Sequence, residues 1–239
     1  MPFLLLTISL KSQERLQDSS YLSWFDRQVG IENTALYEGV VYKENYRTIN
    51  DQIKFYKSAK WLSGSVVYSG QLFSNILLKY DVYADQLIIK QLDRLGGGAV
   101  ILFKDKISSF TIDGTEFVHI KTSSINASLE GFYELLSSGS DKRLLGGHQK
   151  RNFLKKDRSF LYHEFKDLQK KYVLELGGEY YELKSKKDLI EVFPELKKEI
   201  DLFYKKNRRI RDKDTDTFMK TLFNRLDDLL ISSTINTLE

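Results

Sequence analysis

From Tyr37 onward, apolar and polar positions alternate in short segments set between Gly, Asn, Asp and Ser, and this period of two predicts strands rather than helices. Segments 65–68, 72–80, 87–90, 99–103, 109–112 and 116–121 follow one another closely. Leu78, Tyr80 and Val82 recur at every second position and so share one face. The breaks are Ser69-Gly70, Ala84-Asp85-Gln86 and Asp113-Gly114, the last a two-residue hairpin signal. Connections this short force neighbouring strands to run antiparallel, since a parallel crossover needs about a dozen residues. The stretch 137–147, which holds Gly and Ser, reads as an irregular break. Strands resume around Phe153, over 160–165 and over 172–183, where Gly177-Gly178 divides the last segment into a hairpin.

The period then lengthens. Ser185 followed three residues later by Asp188 has capping-box spacing and opens a short helix that ends near Phe193. Pro194 suits the first turn of a second helix, where a missing N–H costs nothing, and Leu196, Ile200, Phe203 and Tyr204 line one side of it. A final helix over 216–231 buries Phe218, Met219, Leu222, Phe223, Leu226, Leu229 and Leu230. The expected fold is therefore mainly β with C-terminal helices (α+β). Its antiparallel curved sheet or incomplete barrel carries two or three helices at one end. Residues 37–184 form the β domain and 185–239 the helical section packed on it, with 14–36 as an irregular or helical arm before them.

The apolar run Phe3 to Leu10, followed at once by Lys11-Ser12-Gln13, resembles the core and exit of a secretory signal, so residues 1–13 are expected to be a truncated signal and the protein to be exported. If that run is instead a core strand, the protein is cytoplasmic. The run is too short for a membrane-spanning helix, which needs about 20 apolar residues. Zero Cys among 239 residues excludes disulfides, thiolate catalysis and Cys-ligated metal. The formal charge of +4 is spread through both halves, unlike the basic footprint of a nucleic-acid binder.

Candidate chemistry is sparse. His119 and His163 lie at strand spacing, and His148, after Gly146-Gly147, is the most exposed of the three histidines by expectation. None has the spacing of a metal clip, and no G-x-S-x-G elbow occurs. Gly96-Gly97-Gly98 precedes a strand rather than a helix and reads as a turn. The alternating acids of Asp212-Lys213-Asp214-Thr215-Asp216 lack the Gly and Glu of a calcium loop and read as helix capping. No catalytic residue, cofactor or metal ligand is assigned. One basic segment stands out: Lys197, Lys198, Lys205, Lys206, Arg208, Arg209, Arg211 and Lys213, set against Glu199, Asp201 and Asp212, form a candidate surface for an anion, an acidic partner or lipid headgroups.

The chain resembles a family of uncharacterised exported β-rich proteins common in Bacteroidota. The resemblance rests on Tyr37-Glu38-Gly39, the stretch from Trp61 to Gln71, Leu78-Lys79-Tyr80-Asp81-Val82-Tyr83, and Tyr180 to Lys187 with Phe193-Pro194. It implies a periplasmic or outer-membrane-associated component and carries no catalytic residue with it. The leading expectation is a non-catalytic envelope protein, a binding or accessory subunit whose partner is another envelope protein, with peripheral contact to a membrane surface. A hydrolase of cell-wall sugar or lipid working through carboxylates is the second reading. A cytosolic nucleic-acid binder using segment 197–213 is the third, though nucleic acid is not the expected partner.

Overall fold

The computed structural model describes Leu36 and residues 38–49, 51–91, 98–121, 128–139 and 141–236, with side chains through Leu230. The expected signal at 1–13, nearly all of the arm at 14–36, and Gly96-Gly97 lie outside the described residues.

Among the described residues thirteen strands are present: β1 (Gly39–Val41), β2 (Leu62–Tyr68), β3 (Gln71–Asp81), β4 (Gln86–Lys90), β5 (Ala99–Leu102), β6 (Ile107–Ile112), β7 (Thr115–Ile120), β8 (Gly131–Ser138), β9 (Lys142–Gly147), β10 (Lys150–Lys156), β11 (Leu161–Asp167), β12 (Lys171–Leu176) and β13 (Glu179–Glu182). Eleven of them form one antiparallel sheet in the order β1-β5-β4-β3-β2-β6-β7-β8-β9-β12-β13, and β10 and β11 pair only with each other. The end strands β1 and β13 each have one neighbour, so the sheet is not closed into a barrel. Four helices follow among the same residues: α1 (Lys186–Val192), α2 (Lys197–Lys206), α3 (Arg208–Lys213) and α4 (Thr215–Asn236). Among the described residues no helix is long and apolar enough to cross a membrane.

Local chemistry accounts for the turns and caps. Asp113-Gly114 and Gly177-Gly178 both take positive φ at the two central positions, as hairpins whose twist matches their strands require. Ser185 accepts from the Lys187 N–H while Asp188 accepts from the Ser185 N–H, the reciprocal cap that opens α1. Asp214 caps α4 through the Thr217 N–H at 3.0 Å. Pro194 begins a single 3-10 turn, Pro194–Leu196, and α2 starts after it.

Two strand assignments need correction. The stretch read as an irregular break contains the end of β8 and all of β9. Gly146 and Gly147 lie in β9 not as turn residues but because their neighbours come too close for a side chain. A Cβ at Gly146 would stand 2.9 Å from Leu136, and one at Gly147 would stand 2.8 Å from the Tyr133 ring.

The first half of the sheet curls over its own aromatic core. Phe110 and Phe117 face each other across β6 and β7 with rings stacked at 4.8 Å, and Tyr80 and Phe132 meet them edge-on. The Tyr80 hydroxyl donates to Asp85 at 2.7 Å in the β3–β4 turn. Lys104 binds the same carboxylate at 2.5 Å, and the Phe132 N–H on β8 points at it from 3.4 Å. Asp85 thus ties the β3–β4 turn to the start of β8, strands separated by three others in the sheet. The long β1–β2 connection is pinned by Lys54, a buried cation paired with Asp81 at 2.9 Å and Glu44 at 3.3 Å. The second half of the sheet carries the helices: Leu136, Leu144, Tyr172 and Leu174 pack against Phe218, Met219, Leu222, Phe223 and Leu226 of α4.

The stack at the centre of the curl is the most sensitive point of the core. Phe117→Ala is expected to cost about 3–5 kcal/mol, through lost burial and a cavity that the curled sheet cannot collapse. Urea unfolding followed by tyrosine and tryptophan fluorescence measures it, and a loss below about 1 kcal/mol contradicts the packing.

Candidate functional site

Where the helices meet the β12–β13 end of the sheet they leave an open cleft of about 940 Å³, the size range of small-ligand sites. Its sheet wall is Lys170, Lys171, Tyr172, Glu182 and Leu183. The helical wall comes from Lys186 and Leu189 of α1, Asp201, Tyr204 and Lys205 of α2, Arg211 and Asp212 of α3, and Thr215, Phe218 and Met219 of α4. The base is therefore apolar and aromatic while the rim is charged, with cations outnumbering acids.

Beside the cleft lies a network that no motif foretold. Lys170, just before β12, binds Glu134 of β8 at 3.0 Å and Asp216 in the first turn of α4 at 2.5 Å. Tyr172 donates to the other Asp216 oxygen at 2.6 Å, and His148 lies 2.7 Å from Glu134 through Nε2. Burial of Glu134 works against its ionisation, but hydrogen bonds from His148 and Lys170, with the Lys170 charge, overcome this and bring its pKa down to about 2. Burial depresses the Lys170 ammonium, yet its two carboxylate partners leave it above its ordinary value. Burial and the Asp216 hydrogen bond push the Tyr172 phenol far up. The network is consequently a set of fixed charges, with Glu134 ionised and Tyr172 neutral across the physiological range. Further along α4, Asn224 accepts from Ser137 at 2.7 Å, and Asp227 pairs at 2.5 Å with Lys142, which is only 5% exposed. These ties set the helix against the sheet and so set the width of the cleft.

The structure divides the basic segment. Lys205 and Arg211 line the cleft, whereas Lys197, Lys198, Lys206, Arg208, Arg209 and Lys213 do not. Arg211 and Arg208 pair with Asp212, and Lys205 meets no carboxylate among the described residues. Only Lys205 and Arg211 of the eight cations therefore belong to the cleft. These two join Lys170, Lys171, Lys184 and Lys186, which no sequence pattern singles out.

His148, expected to be exposed, is instead largely enclosed, because it stands edge-on to Tyr56 at 5.1 Å and bonds to Glu134. His119 bonds through Nδ1 to the Ile107 carbonyl, and burial holds it below its ordinary pKa. His163 meets the Asn152 side chain at 2.9 Å. Among the described residues no group of three His, Cys, Asp or Glu has the arrangement of a metal site. No family model, curated protein or solved structure matches the chain.

The depressed Glu134 value fixes the sign of an acid dependence. Because the folded pKa lies below the ordinary 4.5, the network's contribution is complete above about pH 4.5 and is lost as pH falls toward 2. Stability measured by chemical denaturation is expected to drop through that window by about 3 kcal/mol from this group. Glu134→Gln should flatten the drop while lowering stability at pH 7 by about 2 kcal/mol. An unchanged acid slope in the variant counts against the network.

Proposed function

We propose that the protein is a non-catalytic accessory subunit of the cell envelope, a binding protein whose cleft between β12–β13 and the helices receives an anionic group of its partner. The observation that carries this reading is the cleft itself, an apolar base holding Tyr204 and Phe218 beneath a rim on which Lys205 has no carboxylate among the described residues to neutralise it. An ammonium without such a partner beside an apolar wall is a ready counter-charge for a carboxylate or phosphate, while the aromatic base supplies contact area.

The fate of the neighbouring acids supports binding over hydrolysis. The acids that line the cleft, Glu182, Asp201 and Asp212, each pair with a Lys or Arg, and beside it Glu134 and Asp216 are both engaged by Lys170, with the Tyr172 hydroxyl committed to Asp216. Their arrangement suits a scaffold that holds α4 in place. Envelope residence is supported by the signal-like run from Phe3 to Leu10 and by the resemblance to exported β-rich proteins.

An acidic decapeptide of Glu and Tyr serves as the probe. Isothermal titration at low salt is expected to show binding that weakens as salt rises, and Lys205→Glu with Arg211→Glu should reduce affinity at least tenfold without lowering stability. Equal affinity in wild type and variant, or no heat with wild type, would remove the cleft from consideration. Turnover of cell-wall oligosaccharide by the purified protein would favour the hydrolase instead.

A further inference from the structure

The β10–β11 hairpin springs from the edge of the cleft, where Gln149 precedes it and Gln169 follows it, and it belongs to neither the main sheet nor the helices. A two-stranded ribbon alone is marginally stable, so its order needs an anchor. The anchor is at its base. Phe165 is buried and meets the Tyr46 and Tyr83 rings at 5.3 and 5.1 Å, while the N–H groups of His163 and Phe165 donate to the carbonyls of Arg47 and Gln52. Lys150 also reaches the Ile53 carbonyl at 2.8 Å. Near the tip, the Arg47 guanidinium lies 3.7 Å above the Phe160 ring.

The register shows what this support leaves uncovered. Asn152 opposes Phe165, Leu154 opposes His163 and Lys156 opposes Leu161, so all six side chains lie on one face. That face is covered at Phe165 and bare at its outer end, where Leu154 and Leu161 are 60% and 55% exposed and stand diagonally across the ladder. Exposed cations flank them at this end of the ribbon: Lys156 on the same face, Lys155 at the neighbouring position on the opposite face, and Arg158 in the turn with Asp157, whose carboxylate accepts from the Arg158 N–H.

We infer that this hairpin is a contact arm for an anionic lipid surface, with Leu154 and Leu161 entering the headgroup layer and Lys155, Lys156 and Arg158 pairing with lipid phosphates. Two features select lipid over a protein partner. The bare patch is two leucines wide, far below the roughly 800 Å² per side of a stable protein interface, whereas shallow insertion with a few cations suffices at a bilayer surface. The charge beside the leucines is predominantly positive and matches anionic headgroups. Leu202 and Ile210, the exposed apolar residues of the helical basic segment, lie on separate helices, and single exposed apolar side chains are ordinary. The proposal is independent of the cleft reading, because none of its five residues lines the cleft.

Vesicle sedimentation of the full chain tests it, using phosphatidylcholine alone and phosphatidylcholine with about a quarter phosphatidylglycerol. Wild type is expected to pellet with the anionic vesicles and at least tenfold less with the neutral ones. Leu154→Asp with Leu161→Asp, and separately Lys155→Glu with Lys156→Glu and Arg158→Glu, should each lower pelleting at least tenfold. Lys206→Glu with Arg209→Glu on the helical segment should change it less than twofold. Leu161→Trp gives a direct reading that needs no loss of binding, since its emission should shift to the blue on anionic vesicles only. Wild type that stays in the supernatant, hairpin variants that pellet normally, helical variants that abolish pelleting, or a Leu161→Trp emission unchanged by vesicles would each overturn the proposal.

Discussion

Lys170 stands between Glu134 of β8 and Asp216 of α4, and the relation between sheet and helices turns on that placement. A cation partly withdrawn from water is favoured where its charge and its N–H donors are satisfied, so the lysine draws both carboxylates within hydrogen-bond reach. Tyr172 and His148 also bond to these two acids. The helix N-terminus favours the negative charge of Asp216, which adds to the pull on this end of α4. Lys142 with Asp227 fixes a point about three turns further along the same helix. Between those two ionic points lies the apolar stripe of Phe218, Met219, Leu222, Phe223 and Leu226, which supplies most of the adhesion while the charges select its register.

The opposite half of the molecule solves a different problem. An antiparallel sheet of eleven strands exposes far more apolar face than four helices can cover, and this one curls so that β3, β6, β7 and β8 bring Tyr80, Phe110, Phe117 and Phe132 together. Asp85 holds that curl by accepting from groups on both sides of it. The sheet remains open because its far strands β9, β12 and β13 are committed to the helices instead of returning to β1. The cleft is the geometric remainder of that arrangement, bounded by a sheet edge that cannot close and helices that cannot approach further.

Much of this was legible in the residues. Period-two runs and Asp-Gly or Gly-Gly turns located β2 to β7 and β12 to β13 to within a few residues, and Ser185, Asp188 and Pro194 marked the start of the helical section. The strands β8 and β9 were not legible, because Ser137, Gly146 and Gly147 carry turn chemistry and only the tertiary crowding of Leu136 and Tyr133 explains glycine in a strand. The charged network escaped for a related reason. Asp216 was readable as a helix-terminal acid, but its partners lie 46 and 44 residues away and nothing local marks them. The basic segment was visible by composition, yet composition cannot say that a break between α2 and α3 sends Lys205 and Arg211 toward the cleft and the other six elsewhere.

A double-mutant cycle between Lys170→Met and Asp216→Asn tests most directly whether this part-buried pairing sets the helices on the sheet. With stability read from urea denaturation at neutral pH, direct pairing predicts a coupling of about 1 kcal/mol or more. Additive effects, within about 0.5 kcal/mol, would mean that α4 is placed by its apolar stripe alone and would contradict the registering role of Lys170.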